Sequence, residues 1–490
     1  MKAEAGFALV LLLAGHVATA AAAAAAWDPS QVWPAYRKQQ AAYPVDYDRL
    51  EVSSFEGGER RTYQLRSQRW PEPAGDAWLH RVEVLVPQAP QAGPALLVIN
   101  NGVAHEGGGR PVAPASDFPP EVLERLVRTL GMAVVSIADV PPQAMTLPGD
   151  ARARTEDDLV AASWRRFLDA PSTHGQWPLH VPMAEAAIRA MDLADRELPE
   201  GQRPSYVVTG ASKRGWASWL LPLVDDRVSH LAPFVIDMNW QGFAPQIRRA
   251  YGERWPIALS PYVEHGVTGE IEGPAFTQLM QIVDPYTYLH GPLRQRLALP
   301  KLLVNASGDD FFVPDGAGYY LAELPGPTAL RVAPNSDHGG IRRFTVDTLE
   351  PALKRWRAGR ALPELTSKWL PHVSAFELNV KGPERPQRAL LWQAHNPIDR
   401  DFRKACGIDY HASEVALEGR RRQSIPVNST AQGWTASFVE LHFADGLVLT
   451  TPVQVTPEDA FPVQPPAEGE GRCRLAPEPA VSGLPAAQAR

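Results

Sequence analysis

Three side chains, Ser212, Asp309 and His338, have the types and the order along the chain to do chemistry together. Ser212 lies in Gly210-Ala211-Ser212-Lys213-Arg214-Gly215, between a short apolar run at 205–208 and a helix-like stretch. A serine held between small residues at a strand-to-helix corner is the sequence sign of a nucleophile elbow. Its hydroxyl would stand clear of the sheet, with the next helix aiming its N-terminus at a developing oxyanion. Serine alone is a poor nucleophile at neutral pH. It needs a base to take its proton and a carboxylate to fix the tautomer of that base and stabilise its cation. On this kind of elbow the partners follow in the order Ser, Asp, His, on loops at strand ends. Both places are filled. Gly308-Asp309-Asp310 follows the apolar run 302–305, and Asn335-Ser336-Asp337-His338 follows the run 329–332. Asp309 and Asp310 compete for the orienting role, and Asp309 is preferred because it lies nearer the strand end. Each signal alone is weak, since G-x-S-x-x-G occurs by chance and a loop histidine is commonly just exposed. Their order, each behind its own strand, carries the reading. The other histidines form no H-E-x-x-H or comparable set, so no metal or other cofactor is expected.

An oxyanion hole would use the backbone N–H of Lys213, directly after the nucleophile. A second N–H would come from the loop after the strand Ala95–Ile99, at Asn101 or Gly102, where glycine permits unusual backbone. The run His105-Glu106-Gly107-Gly108-Gly109 hints at a glycine-rich oxyanion loop, but Glu106 interrupts it and it reads first as a flexible loop. Lys213 and Arg214 are candidate substrate contacts, because cations at a helix N-terminus are mildly unfavourable and call for a reason. Trp240 is a third candidate.

The elements needed to position these groups are legible as periodicity. Strands are expected at 62–65, 78–86, 95–99, 133–137, 205–208, 230–236, 302–305 and 329–332. Helices are expected at 120–130, 155–168 (with Thr155 as cap), 182–198, 276–282, 316–324 and 345–358. This alternation argues a mostly parallel, doubly wound sheet, the α/β-hydrolase arrangement, over 27–362. Residues 240–289 lack a clear strand and could cap the site. Near Pro363 the pattern changes to short alternating runs at 374–380, 389–394, 434–443 and 447–455. A small antiparallel β-sandwich over 365–457 is the natural reading, suited to contact with carbohydrate or protein. The Pro-, Ala-, Glu- and Gly-rich end, 461–490, is expected to be disordered.

Bulk properties narrow the function. A 44% hydrophobic and 21% charged composition is that of a soluble globular protein, and 490 residues imply two or three domains. A net charge of −7 gives no reason to expect nucleic acid as partner. Residues 1–26 begin with Lys2, continue with an apolar run at 7–13 and end in an alanine tract. That is the pattern of a cleavable secretory signal, with no membrane span left after its removal and a periplasmic or secreted product. An oxidising compartment permits a bridge between the two cysteines, Cys406 and Cys473, which would close a loop of about 65 residues and contribute roughly 4 kcal/mol. Two unpaired thiols remain the alternative.

Several segments resemble the PhoPQ-activated pathogenicity-related family, whose members also resemble the autocrine proliferation repressor of a social amoeba. They are Ser67-Gln68-Arg69-Trp70, Trp177-Pro178, Gly210 to Trp216, Ile236-Asp237-Met238-Asn239, Gly308 to Asp315, and Asn396-Pro397 with Arg400-Asp401-Phe402-Arg403. The resemblance implies an α/β-hydrolase core related to prolyl-oligopeptidase-type enzymes and supports Ser212, Asp309 and His338. One departure stands out. A hydrolase elbow commonly has glycine two residues after serine, where this chain has Arg214, so the corner must accommodate a bulky side chain. The expected function is an exported serine hydrolase acting on a small ester or peptide-like substrate through an acyl-enzyme. The alternative is a catalytically silent binding or signalling protein of the same shape.

Overall fold

A computed structural model describes residues 27–71, 75–105, 111–198, 205–417, 419–428, 430, 432–467 and 469–478. The expected signal segment 1–26 and the glycines of the 105–109 run lie outside the described residues.

A nine-stranded sheet dominates, in the order β1-β2-β3-β5-β4-β6-β7-β8-β9. Its strands are β1 (Asp46–Phe55), β2 (Gly58–Arg69), β3 (Ala77–Pro87), β4 (Ala95–Ile99), β5 (Val134–Ile137), β6 (Tyr206–Ala211), β7 (Val228–Phe234), β8 (Lys301–Ala306) and β9 (Thr328–Ala333). The first three pair antiparallel and β3 joins β5 antiparallel, while β5, β4, β6, β7, β8 and β9 run parallel. Every residue of β4, β5 and β6 is buried, because strands covered on both faces read as continuous apolar runs. The edge strand β1 is mostly exposed and carries Asp46, Asp48, Arg49 and Glu51, charges that discourage pairing with another chain. Its polarity is why periodicity did not reveal it.

The helices are α1 (Val32–Gln40), α2 (Pro120–Leu130), α3 (Glu156–Asp169), α4 (His180–Glu197), α5 (Lys213–Leu220), α6 (Trp240–Ala250), α7 (Ser260–Glu264), α8 (Pro274–Val283) and α9 (Thr345–Arg357). They give the sheet its doubly wound α/β-hydrolase form, and the segment between β7 and β8 consists of α6, α7, α8 and short 3-10 turns. Thr155 does precede α3, in extended conformation, but its side chain makes no capping bond. Residues 316–324, expected as a helix, form only two short 3-10 turns. No helix among the described residues is long and apolar enough to cross a membrane.

Beyond residue 363 lie two antiparallel sheets. One contains β10 (Glu364–Leu370), β11 (Ala375–Lys381) and β14 (Arg422–Pro426). The other contains β12 (Arg388–Asn396), β13 (His411–Val415), β15 (Trp434–His442), β16 (Val448–Thr450) and β17 (Gln454–Thr456). They share one hydrophobic cluster with the parallel sheet, in which Phe376, Leu391, Val439 and Leu449 pack with Val304, Leu353 and Trp356. Polar contacts cross the same seam. The N–H of Val332 donates to Thr450 Oγ1 at 2.9 Å, and the buried Arg355 pairs with both Glu384 and Asp445 at 2.7 Å. The chain end departs from the expected disorder as far as it is described. Leu475 and Ala476 are buried, and Cys473 is bonded to Cys406. Its Pro- and Glu-rich composition hides two apolar anchors and a covalent one.

Candidate active site

The site is built at the C-terminal ends of the parallel strands β6, β8 and β9, with β7 between the first two. Ser212 follows β6 directly and stands at φ 57°, ψ −130°, a strained conformation for a residue with a side chain, of the kind found at functional corners. The corner is held by the Ser212 N–H donating to Phe234 O (2.9 Å) and by Trp216 N–H donating to Ser212 O (2.8 Å). Two glycines make it possible. A Cβ on Gly210 would lie 2.7 Å from the backbone of Arg214, and one on Gly215 would lie 2.8 Å from Gly210 O. The close approach is therefore made by glycines at 210 and 215. Arg214 itself packs against Gly210, its backbone 2.7 Å and its Cβ 3.1 Å from where a Gly210 Cβ would sit, so the missing side chain at 210 makes room for the bulky residue at 214.

Asp309 follows β8 and His338 follows β9. Their loops are stitched together by Gly308 N–H to Ser336 O (2.9 Å) and Asn335 N–H to Ser307 Oγ (2.9 Å). The Asn335 side chain also ties its loop to Tyr410 in both directions. His338 Nδ1 lies 3.0 and 2.9 Å from the two carboxylate oxygens of Asp309. Asp309 Oδ1 is oriented in turn by the N–H groups of Phe311 (2.7 Å) and Phe312 (3.3 Å). Burial works against the imidazolium, but the charge and hydrogen bond of Asp309 outweigh it and hold His338 above the ordinary histidine value. The other ring nitrogen, Nε2, is buried and has no hydrogen-bond partner among the described residues, Ser212 included. Asp310 points elsewhere, to Arg472 at 2.7 Å. Of the two competing acids, the structure brings Asp309 to the imidazole.

Lys213 and Arg214 are not presented to solvent as free cations. Their side chains are 7% and 3% exposed and are enclosed by carboxylates. Lys213 Nζ lies 2.8 Å from Glu156 and 3.1 Å from Asp157. Arg214 lies 2.7 Å from Glu156 and 3.6 Å from Asp117, which also receives Arg342. Glu156 takes φ 47° to reach this position. Burial opposes its charge, yet the two cations hold its carboxyl well below the usual glutamate range. Both cations therefore brace the elbow from below. Nothing in the spacing of the acids at 156 and 157 reveals their partners 56 to 58 residues away.

Lys213 is the first residue of α5, so its N–H lies at the open end of the helix. Asn101 N–H is engaged by the Asn100 side chain at 3.1 Å, while the Asn101 side chain holds Ser116 and Asp117. Gly102 stands at φ +112°, with Ala113 O only 3.1 Å from where a Cβ would sit. Trp240 is buried and lies parallel to Trp216, ring centroids 5.7 Å apart. A continuous series of rings leads from His338 through Phe312 to Trp240, Trp216 and then His180 and Trp164. His180 is fully buried, and burial pulls it down to about 3, so it is neutral. The wall on this side of Ser212 is aromatic and uncharged. Apart from Trp240, no signal short of the fold itself connects these rings.

The chain is 30% identical over 422 residues to autocrine proliferation repressor protein A of Dictyostelium discoideum, covering 80% of this chain and 82% of that protein. Among solved structures it is similar to an acetyl xylan esterase from Paenibacillus sp. R4, with TM-score 0.45, 16% identity, and coverage of 68% of this chain and 94% of the other. It is also similar to a glucuronoyl esterase from Solibacter usitatus, with TM-score 0.41, 16% identity, and coverage of 63% and 87%. The profile of the PhoPQ-activated pathogenicity-related proteins matches residues 34–403, and the chain belongs to that family.

Proposed function

We propose that this protein is a serine hydrolase that cleaves an ester or amide bond through an acyl-enzyme, and that it works after export, in the periplasm or outside the cell. One observation carries the reading. His338 is bound by Asp309 at Nδ1 while its Nε2 is buried and unpartnered among the described residues, at the same end of the parallel sheet as a serine in strained backbone. A buried imidazole nitrogen without a partner costs stability and calls for a use. Accepting the Ser212 proton is the use that fits this end of the sheet.

In the proposed reaction Ser212 Oγ adds to the carbonyl carbon and His338 Nε2 takes the hydroxyl proton, the resulting cation being held by Asp309. The oxyanion is met by the N–H of Lys213 and by that of Gly102, for which there is no intramolecular acceptor among the described residues. Collapse of the tetrahedral species breaks the bond to the leaving alcohol or amine, which receives the proton from His338. Water then adds to the acyl-enzyme with the same histidine as base. The ion pairs of Lys213 and Arg214 give the oxyanion donor a fixed place and leave no free cation for an acidic substrate. The neutral aromatic wall at Trp240 suits an uncharged acyl or alcohol group.

A fluorophosphonate probe tests the reading. It is expected to label the wild-type protein and not Ser212→Ala, and equal labelling of both would remove Ser212 from the mechanism. A panel of esters and peptides then separates the two bond types. Full biological effect in Ser212→Ala would favour a binding protein of the same shape.

A further inference from the structure

The last described segment of the chain reaches the loop that carries Asp309. Arg472 Nη1 donates to Asp310 Oδ2 at 2.7 Å. The Asp310 side chain is 0% exposed, and its other oxygen has no donor among the described residues. Burial and the neighbouring Asp309 both raise its carboxyl above the ordinary aspartate value, with Asp337 adding to them, and Arg472 is the cation that opposes them. Arg403 and Tyr251 lie within electrostatic reach of the same carboxyl.

Arg472 is fixed from three directions. The next residue, Cys473, is bridged to Cys406. The guanidinium of Arg403, 1% exposed and held by Asp401 at 2.6 Å, donates to the carbonyls of Arg472, Cys473 and Arg474. Beyond them Ala476 N–H donates to Trp255 O, and Ile257 N–H donates to Arg474 O. The Cys406 side of the bridge touches the acid loop as well. Lys404 N–H donates to Gly308 O at 3.0 Å, and a Cβ on Gly308 would lie 2.7 Å from Lys404 N. The turn 308–312 is thus held at Gly308 by one arm of the bridge and at Asp310 by the other. Arg472 and Cys473 both lie past residue 403, where the family match ends.

We propose that Arg472, anchored by the Cys406–Cys473 bridge, is a positioning residue for Asp309, and that reducing the bridge loosens the 308–312 turn and slows the reaction at Ser212. This rests on reading Asp309 as the orienting acid. Both cysteines are partly exposed and within reach of a small thiol. One molecule of a dithiol such as dithiothreitol transfers two electrons and two protons to the bridge, leaving two cysteine thiols and the cyclic disulfide of the reagent.

The test uses the intact chain with two readouts. The first is hydrogen exchange over 306–315, where the amides of Phe311 and Phe312 donate to Asp309. The second is the rate of fluorophosphonate labelling. Arg472→Gln is expected to speed exchange in this turn by about tenfold or more and to slow labelling by about tenfold. Arg472→Lys is expected to recover most of both. Asp310→Asn removes the charge that needs Arg472, so adding Arg472→Gln to it is expected to change labelling by less than about threefold. Dithiothreitol is expected to reproduce the Arg472→Gln behaviour in the wild type. Exchange left unchanged both by Arg472→Gln and by reduction overturns the proposal. So does a slower labelling accompanied by equal loss of protection throughout the chain, which is the mark of general destabilisation. If the wild type is not labelled at all, the hydrolase reading fails while the exchange result still decides whether the strap holds the turn.

Discussion

Two clusters of charge meet near the elbow, within electrostatic reach of each other. In one, His338 pairs with Asp309 and packs its ring on Phe311 and Phe312, while its buried Nε2 is bonded to no described residue. In the other, Lys213 and Arg214 lie among Glu156, Asp157 and Asp117, each cation answered by at least two carboxylates. The first cluster is small and incomplete, the second large and closed. Buried polar groups ordinarily find partners, so incompleteness marks where a reacting molecule must supply the missing one. Closure marks a scaffold, whose worth lies in keeping α5 and the elbow in place.

Breaking the incomplete cluster should cost rate and leave the fold intact. Asp309→Asn is expected to slow fluorophosphonate labelling by about 10⁴-fold, with a circular dichroism spectrum like that of the wild type. A loss of less than about tenfold would argue that Asp309 does not orient the base. Breaking the closed cluster should do the reverse. Glu156→Gln leaves Arg214 and Lys213 each short of one partner, and urea unfolding is expected to show a loss of about 1–3 kcal/mol, kept at the low end because Glu156 is partly open to water.

The two clusters also answer pH in opposite senses. His338 is raised, so its neutral, proton-accepting form is reached only above the ordinary histidine value. Labelling should therefore rise with pH through a midpoint above that value, and Asp309→Asn should move the midpoint down. Glu156 is depressed, so the stability it contributes is present above the ordinary glutamate value and lost as pH falls below it. The wild type should lose more stability on acidification than Glu156→Gln does, and parallel acid curves would deny the network this role. The smallest effect is expected at Lys213. Because its ammonium is already neutralised and its N–H belongs to the backbone, Lys213→Met should change labelling by less than about tenfold. A larger loss would return the side chain to the substrate.

Much of this arrangement was legible in the residues, and what was not has a common physical cause. Strands β4 to β9 announce themselves because each holds a short apolar run that is largely buried, completely so in β4, β5 and β6. Ser212, Asp309 and His338 could be named because each stands directly behind such a run, where position along the chain translates into position in space. The choice between Asp309 and Asp310 came from distance to the strand end, and the loops of β8 and β9 do bring 309 and not 310 to the imidazole. Glu156 and Asp117 escaped notice because an ion pair across the fold leaves no periodic trace. The aromatic series from Phe312 to Trp164 escaped for the same reason. Strand β1 was missed because its exposed, charged residues do not alternate clearly, and the segment 471–476 because Arg403, Arg472 and two cysteines far apart in sequence hold it, against a composition that reads as disorder.

The seam between the parallel sheet and the antiparallel pair has a further consequence. Removing everything after residue 362 would strip Arg355 of both its acids and Val332 of its acceptor on Thr450, and would open the apolar layer that both halves complete. The change of architecture near Pro363 is therefore no break in cooperativity. Heating should melt the two halves in a single transition, and the half that ends at residue 362, expressed by itself, should come out insoluble.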